Sequence, residues 1–249
     1  MKYLATLSYF GAAYSGFQRQ KNRPSIQGEV EEKLSFLLGE PTLIKGAGRT
    51  DAGVNATGQR FSFETKKAIP DLDAFCFAAN RLLPEDISLK GLRPVKDDFD
   101  ARHSSCGKTY VYRFYFGLKD PFTSLTSAYL TYRNFDEDAF RAGLKVFEGT
   151  HDFSNFTSKA EDKDAFIRTL APIQVAAKDG HYAVTFSGNG FMTYMIRFMM
   201  GAALKAGLHK LNPDDIRALL EAKPRHIVSF KAPASGLTLV DVRYPDDAY

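Results

Sequence analysis

Cysteine is nearly missing: Cys76 and Cys106 are the two thiols in 249 residues, and neither stands in a Cys-x-x-Cys pair. That excludes a disulfide scaffold or a zinc ribbon and makes the reducing cytoplasm the expected compartment, with both thiols read as inert packing residues. Histidine is sparse and scattered, at His103, His151, His181, His209 and His226. None forms a His-x-x-x-His pair or meets a cysteine at ligand spacing, so no metal site is expected. No run approaches the roughly 20 apolar residues of a membrane-spanning helix. The opening Met1 to Tyr9 alternates like a strand rather than resembling a signal peptide, so an unprocessed chain with no membrane partner is expected. Low-complexity linkers are absent too, and a large charge excess is lacking: 33 Lys and Arg face 29 Asp and Glu. A net charge of +4 permits nucleic-acid binding only if the cations cluster on one face.

What the chain does have is glycine concentrated around one acid. Residues 46 to 64 run Gly-Ala-Gly-Arg-Thr-Asp-Ala-Gly-Val-Asn-Ala-Thr-Gly-Gln-Arg-Phe-Ser-Phe-Glu. Gly46, Gly48 and Gly53 permit close backbone approach, while Phe61 and Phe63 alternate at the period of a half-buried strand. Asp51 is thereby presented on a loop anchored by a sheet. Taken alone, an aspartate before Ala-Gly is also ordinary turn chemistry. A dinucleotide fingerprint would need glycine at Asp51, and a P-loop would need Gly-Lys before Ser or Thr.

Periodicity predicts strands at Lys2 to Tyr9, Leu43 to Lys45, Gln59 to Glu64 and Ile87 to Pro94. Helices are expected from near Ser25, with Ile26, Val30, Leu34 and Leu37 as the apolar stripe, and over Asp71 to Leu82. Gly28 interrupts the first of these helices and suggests close packing against the sheet. The pattern restarts after Cys106: strands Thr109 to Phe116, Ser127 to Tyr132, Ile167 to Lys178, Tyr182 to Ser187 and Leu237 to Tyr244, with helices Asp136 to Phe147 and Thr193 to Ala206. This is an α+β chain whose two similar halves, 1–105 and 106–249, meet at a soft boundary.

Two further elements bear on chemistry. Tyr110, Tyr112, Phe114 and Phe116 share one strand face, and three of them read as core; Tyr110, at the strand's start, can offer a ring to a base and a hydroxyl to a carboxylate. The turn Gly188-Asn189-Gly190 leads into a helix whose methionines read as core, with Arg197 beside the apolar stripe. Arg49 lies two residues from Asp51 and can point the same way on extended chain. Arg19, Lys21 and Arg23, next to Phe17 and Gln18, form the best backbone-binding patch for a folded RNA. His151-Asp152 near Ser154 reads as a loop cap, since no Gly-x-Ser-x-Gly elbow accompanies it.

The loop Gly48-Arg49-Thr50-Asp51-Ala52-Gly53-Val54 resembles the signature of the TruA-type tRNA pseudouridine synthases. The likeness extends in order along nearly the whole chain, through Tyr14 to Gln20, Ser25 to Gly28, Asn80 to Pro84, Phe99 to Arg102, Lys108 to Tyr112, Gly149 to Phe153, Gly188 to Arg197, and Ala232 to Leu237. The resemblance implies the pseudouridine synthase fold: two ferredoxin-like halves joined through a central, mostly antiparallel sheet with an active-site cleft. It implies an isomerase acting on tRNA uridines 38, 39 and 40 of the anticodon stem-loop, as a homodimer, with no metal, nucleotide or redox cofactor. By family convention Asp51 is the nucleophile, Tyr110 stacks on the base and shares in proton transfer, Arg197 pairs with Asp51, and Arg49 assists base flipping. Tyr110, Arg19, Arg49 and Arg102 are the substrate-binding residues so implied.

Attack on sugar, attack on base and abstraction of a sugar proton all remain open to Asp51. Two departures stand out: Asn55 replaces the family's usual histidine, and Asp100 and His103 alter its Phe-His-Ala-Arg-Phe run, which is expected to weaken nearby phosphate contacts. A noncatalytic tRNA-binding module would not need Asp51, Tyr110 and Arg197 together. A nucleoside hydrolase would need a second carboxylate, which no motif marks.

Overall fold

In the computed structural model, which describes residues 1–158 and 166–248, the chain divides into two units. The first is Met1–Gly107 with Thr238–Tyr249; the second is Lys108–Leu237. The last strand therefore belongs with the first unit, whereas chain order groups it with residues 106–249.

The first unit follows the expected order: β1 (Lys2–Tyr9), α1 (Ile26–Leu38), β2 (Ile44–Gly46), β3 (Asn55–Glu64), α2 (Leu72–Leu82) and β4 (Ile87–Val95), completed by β11 (Leu237–Arg243). The strands run β4-β1-β3-β11, with β2 on β3. The β3 and β11 pair is parallel; β1 meets β3 and β4 in antiparallel register, with Tyr3 opposite Phe63 and Ala5 opposite Phe61. Those four side chains are buried, and each fully buried phenylalanine contributes about 2 to 3 kcal/mol of transfer free energy.

Local chemistry starts both helices where the sequence signals them. The Ser25 side chain caps α1 by accepting from Gly28 N at 3.2 Å, and Asp71 caps α2 by accepting from Ala74 N. Gly28 does not face the sheet: the one atom a Cβ there would crowd is the capping Ser25 hydroxyl, at 3.0 Å. The cap, rather than helix-on-sheet packing, explains that glycine. Asn80 ties α2 to β4 by accepting from Leu89 N and donating to Leu89 O, at 2.7 and 2.8 Å.

The second unit contains β5 (Gly107–Tyr115), β6 (Ala128–Tyr129), α3 (Glu137–Lys145), β7 (Gly149–Asp152), β8 (Ile167–Leu170), β9 (Gln174–Lys178), β10 (His181–Gly188), α4 (Met195–Gly207) and α5 (Pro213–Glu221). Its strands run β5-β10-β8-β7, with β9 on β10 and β6 on β5. Apart from the parallel β5 and β6 pair, these ladders are antiparallel.

Three differences from periodicity appear here. The expected strand over Ile167 to Lys178 is two strands, broken at the Ala171-Pro172 step where proline cannot donate to a ladder. β7 and α5 went unread. α5 carries a legible start signal, Asn212 at the cap, Pro213 in the first turn and Asp215 closing a capping box. The methionines of α4 are core as expected, Met195, Met199 and Met200 being fully buried. Cys106, expected to be packed, is exposed, whereas Cys76 is half-buried and its thiol is pushed up by burial.

Candidate active site

The acid-bearing loop is gripped by backbone. A Cβ on Gly11 would lie 2.1 Å from Val54 O, and one on Gly16, whose φ is +105°, would lie 2.8 Å from Thr50 O. Residues 10 to 18 thus lie directly on residues 50 to 54, closer than any other residue allows. Phe17 N donates to Thr50 O at 3.1 Å, and Val54 N turns back to Asp51 O at 3.1 Å. Side chains complete the clamp: Tyr9 and Thr50 share a 2.7 Å hydroxyl bond, and Gln59 Nε2 donates to Gly48 O at 2.9 Å. Burial pushes the Tyr9 phenol well above its usual range, with the Thr50 and Gln59 bonds pulling the other way.

Asn55 has a role its departure from the family pattern did not reveal. It is buried, and its Oδ1 accepts from Gly11 N at 2.8 Å, pinning the same two segments together. Asp51 is half-buried on this loop.

Two of the candidate arginines of the first unit are engaged through their side chains. Arg49 is exposed and its Nη1 donates to Gln18 Oε1 at 2.9 Å. Arg19 pairs through Nη2 with Glu31 Oε2 at 2.5 Å. Arg102 is exposed on a turn organised by Asp100, whose Oδ1 accepts from Arg102 N at 2.8 Å and His103 N at 2.9 Å. Burial opposes ionisation of Asp100, but these two backbone bonds and nearby positive charge prevail and hold its carboxyl below the usual range. Asp100 is therefore a turn cap in this structure.

In the second unit, Tyr110 lies near the start of β5, 7% exposed, with its ring edge-on to Phe191 at 5.2 Å. Tyr112 and Phe114 continue that face into the core, and Phe116 at its end is half-buried. Arg197, on the first turn of α4, is half-buried; its Nε donates to Ala232 O at 2.8 Å while Ala232 N returns a bond to Arg197 O at 2.9 Å. The next carbonyl, Pro233 O, accepts from Tyr112 OH at 2.9 Å. Burial raises the Tyr112 phenol, and the Arg197 charge works against that rise. Tyr194 precedes the helix with φ +62° and no side-chain cap. Its ring lies under Lys231 Nζ at 3.8 Å and Arg197 Cζ at 5.4 Å.

Asp51, Arg49, Arg19 and Arg102 thus belong to the first unit and Tyr110 and Arg197 to the second. Of the anchors, the sequence marks Gln18 only as a neighbour of the basic patch, and nothing in it marks Glu31 or Lys231. Asp152 accepts from Ser154 N at 2.8 Å, the loop cap expected there. Among the described residues no group of three or more His, Cys, Asp or Glu is arranged to hold a metal ion, and no helix is long and apolar enough to cross a membrane.

A family model described as tRNA pseudouridine synthase matches residues 144–245, a span that includes Arg197 but neither Asp51 nor Tyr110. Curated relatives match across nearly the whole chain. The chain is 35% identical over 241 residues to "tRNA pseudouridine synthase A" of Acetivibrio thermocellus, covering 96% of this chain and 97% of the relative. It is 37% identical over 241 residues to the protein of that name from Caldicellulosiruptor bescii, covering 97% and 98%. With the Exiguobacterium sibiricum protein of the same name, identity is 36% over 245 residues, covering 98% and 97%.

Proposed function

The chain belongs to the tRNA pseudouridine synthase family, an isomerase family, and from that premise we propose that it converts uridines 38, 39 and 40 of the tRNA anticodon stem-loop to pseudouridine. The reaction breaks the bond from C1′ to N1, turns the uracil, and forms a bond from C1′ to C5; C5 gives up its proton and N1 gains one, so no atom is lost overall. An enzyme for it must extrude the base and confine the detached uracil.

Asp51 is the catalytic carboxylate in this reading, acting on sugar or base. The observation that carries the assignment is the backbone clamp: Gly11 against Val54 and Gly16 against Thr50 hold an acid in fixed geometry, as a preorganised nucleophile or base requires. Tyr110 stacks on the uracil and takes part in the last proton transfer, and Arg197 supplies a fixed cation. Arg49 helps displace the base, a task suited to a planar donor that bonds phosphate and can occupy a vacated stacking position. Arg19 and Arg102 contact the RNA backbone. The working form is a cytoplasmic homodimer that uses no cofactor, with a sedimentation mass twice that of the chain.

The test is conversion of unmodified tRNA, mapped nucleotide by nucleotide, by the wild type, Asp51→Asn and Asp51→Ala. Pseudouridine at positions 38 to 40 is expected from the wild type alone, with tRNA binding retained in both variants. Release of free uracil would instead support a hydrolase, and binding without any modification of tRNA, ribosomal or messenger RNA would support a noncatalytic module.

A further inference from the structure

Glu31 is a carboxylate placed where solvation is poor. It lies on α1 with its side chain 3% exposed, a position in which an uncompensated charge is strongly destabilising. Its two oxygens are held differently. Oε1 accepts from Ile44 N and from Gln27 Nε2, both at 2.9 Å. Oε2 forms an ion pair with Arg19 Nη2 at 2.5 Å and accepts no hydrogen bond among the described residues, so the guanidinium charge is what compensates it.

The same helix also holds the other end of Arg19, because Gln27 Oε1 accepts from Arg19 N at 3.1 Å. Gln27 N in turn donates to Phe17 O at 2.8 Å. Between these fixed points lies Gln18, which receives Arg49 Nη1. Gln27, itself bonded to Glu31, thereby fixes the segment that carries Arg19 and whose Gln18 receives Arg49.

We propose that Glu31 is a positioning residue for RNA binding: it locks the Arg19 fork so that its outward N–H groups meet a backbone phosphate. This rests on the tRNA reading above. A guanidinium has five N–H donors, and the Arg19 side chain remains 56% exposed after pairing. The contact is at the outer rim. The adjoining groove of about 550 Å³ is lined by Glu29, Glu31 and Glu32 as well as Arg19 and Arg23, which makes its interior hostile to phosphate.

Two effects of Glu31 oppose each other. Its charge subtracts from the attraction of Arg19 for phosphate, but water screens that loss at a half-exposed guanidinium. Its grip spares the side-chain entropy that a free arginine gives up on binding. The second effect prevails in this assignment, and the sign of one measurement separates them.

Filter binding of unmodified tRNA would compare the wild type with Glu31→Gln, Arg19→Ala, Arg19→Lys and the double variants, each checked for folding by circular dichroism. Arg19→Ala is expected to weaken binding about tenfold and to lower the salt slope by about one contact. Glu31→Gln keeps the acceptor for Ile44 N and is expected to weaken binding about threefold through the released rotamer. Glu31→Gln with Arg19→Ala should bind no worse than Arg19→Ala alone, since the one acts through the other. If Arg19→Ala fails to fold, Arg19→Lys takes its place in the cycle. Tighter or unchanged binding by Glu31→Gln, an unaffected Arg19 variant, or full additivity would overturn the proposal. Absence of pseudouridine from the wild-type preparation would sink the catalytic reading while the binding cycle still decides the role of Glu31.

Discussion

The loop bearing Asp51 and the helix bearing Arg197 are both immobilised, but by different means. Around Asp51 the contacts are main chain on main chain, Gly11 on Val54 and Gly16 on Thr50, trimmed by the hydroxyl bond between Tyr9 and Thr50. Arg197 is held through its own side chain, by Nε on Ala232 O and by the Tyr194 ring shared with Lys231. A backbone clamp has almost no tolerance, because a carbonyl cannot move aside as a flexible side chain can. A side-chain tether fails by degrees.

The largest effect should come from Gly11→Ala. Its Cβ would stand 2.1 Å from Val54 O, so one segment must shift. A cost of about 3 to 5 kcal/mol is expected, a fall in melting temperature of roughly 6 to 20 °C at this chain length, with loss of pseudouridine formation. A melting point near the wild type would break the comparison.

Arg197→Lys sharpens its other side. Lysine keeps the charge but has no Nε to bond Ala232 O and no planar fork. Product formation is expected to drop by about 10- to 100-fold with little change in melting temperature, as single-turnover assays would read. Equal losses of stability and rate would show that this arginine is structural.

Tyr9→Phe removes one trim of the clamp and should cost about 1 kcal/mol. Its pH dependence is diagnostic. Burial raises the folded phenol above its unfolded value of about 10, so its contribution is complete below that pH and is lost as pH rises through the higher folded value. Melting curves from pH 8 to 11 should therefore fall less steeply for Tyr9→Phe than for the wild type.

Asp100→Asn is the smallest test, asking whether side-chain caps in the first unit matter as little as the comparison implies. The folded carboxyl titrates below the usual range, so its contribution is present above the unfolded value of about 4 and is lost as pH falls through the folded one. A cost of about 0.5 kcal/mol is expected near pH 7 after solvent screening, vanishing in acid melts.

Much of the element order was legible along the chain. β1 spans the residues its alternation predicted, and Ser25, Asp71 and Asp136 cap the helices they announce. Periodicity fails where local signals are short or weak. β7 has four residues and too little alternation to be seen, and α5 announces itself only through Asn212 at its cap and Pro213 after it. Gly28 suggests a contact with the sheet, but the cap three residues earlier explains it. Asn55 shows only as a departure from a pattern, because Gly11, which it bonds, is 44 residues away, whereas the bonds of Asp100 to Arg102 N and His103 N are local turn chemistry.

The sequence by itself determined the α+β class, the succession of strands and helices, and the family, because side-chain period and capping act within a few residues of one another. Only the tertiary structure decided that the last strand joins the first unit, that Gly11 meets Val54, that Tyr112 meets Pro233, and that Glu31 is buried against Arg19. Such pairings depend on where the chain closes back on itself. Burial of a carboxylate is tolerable only when distant segments bring its donors to it, and linear spacing carries no record of that.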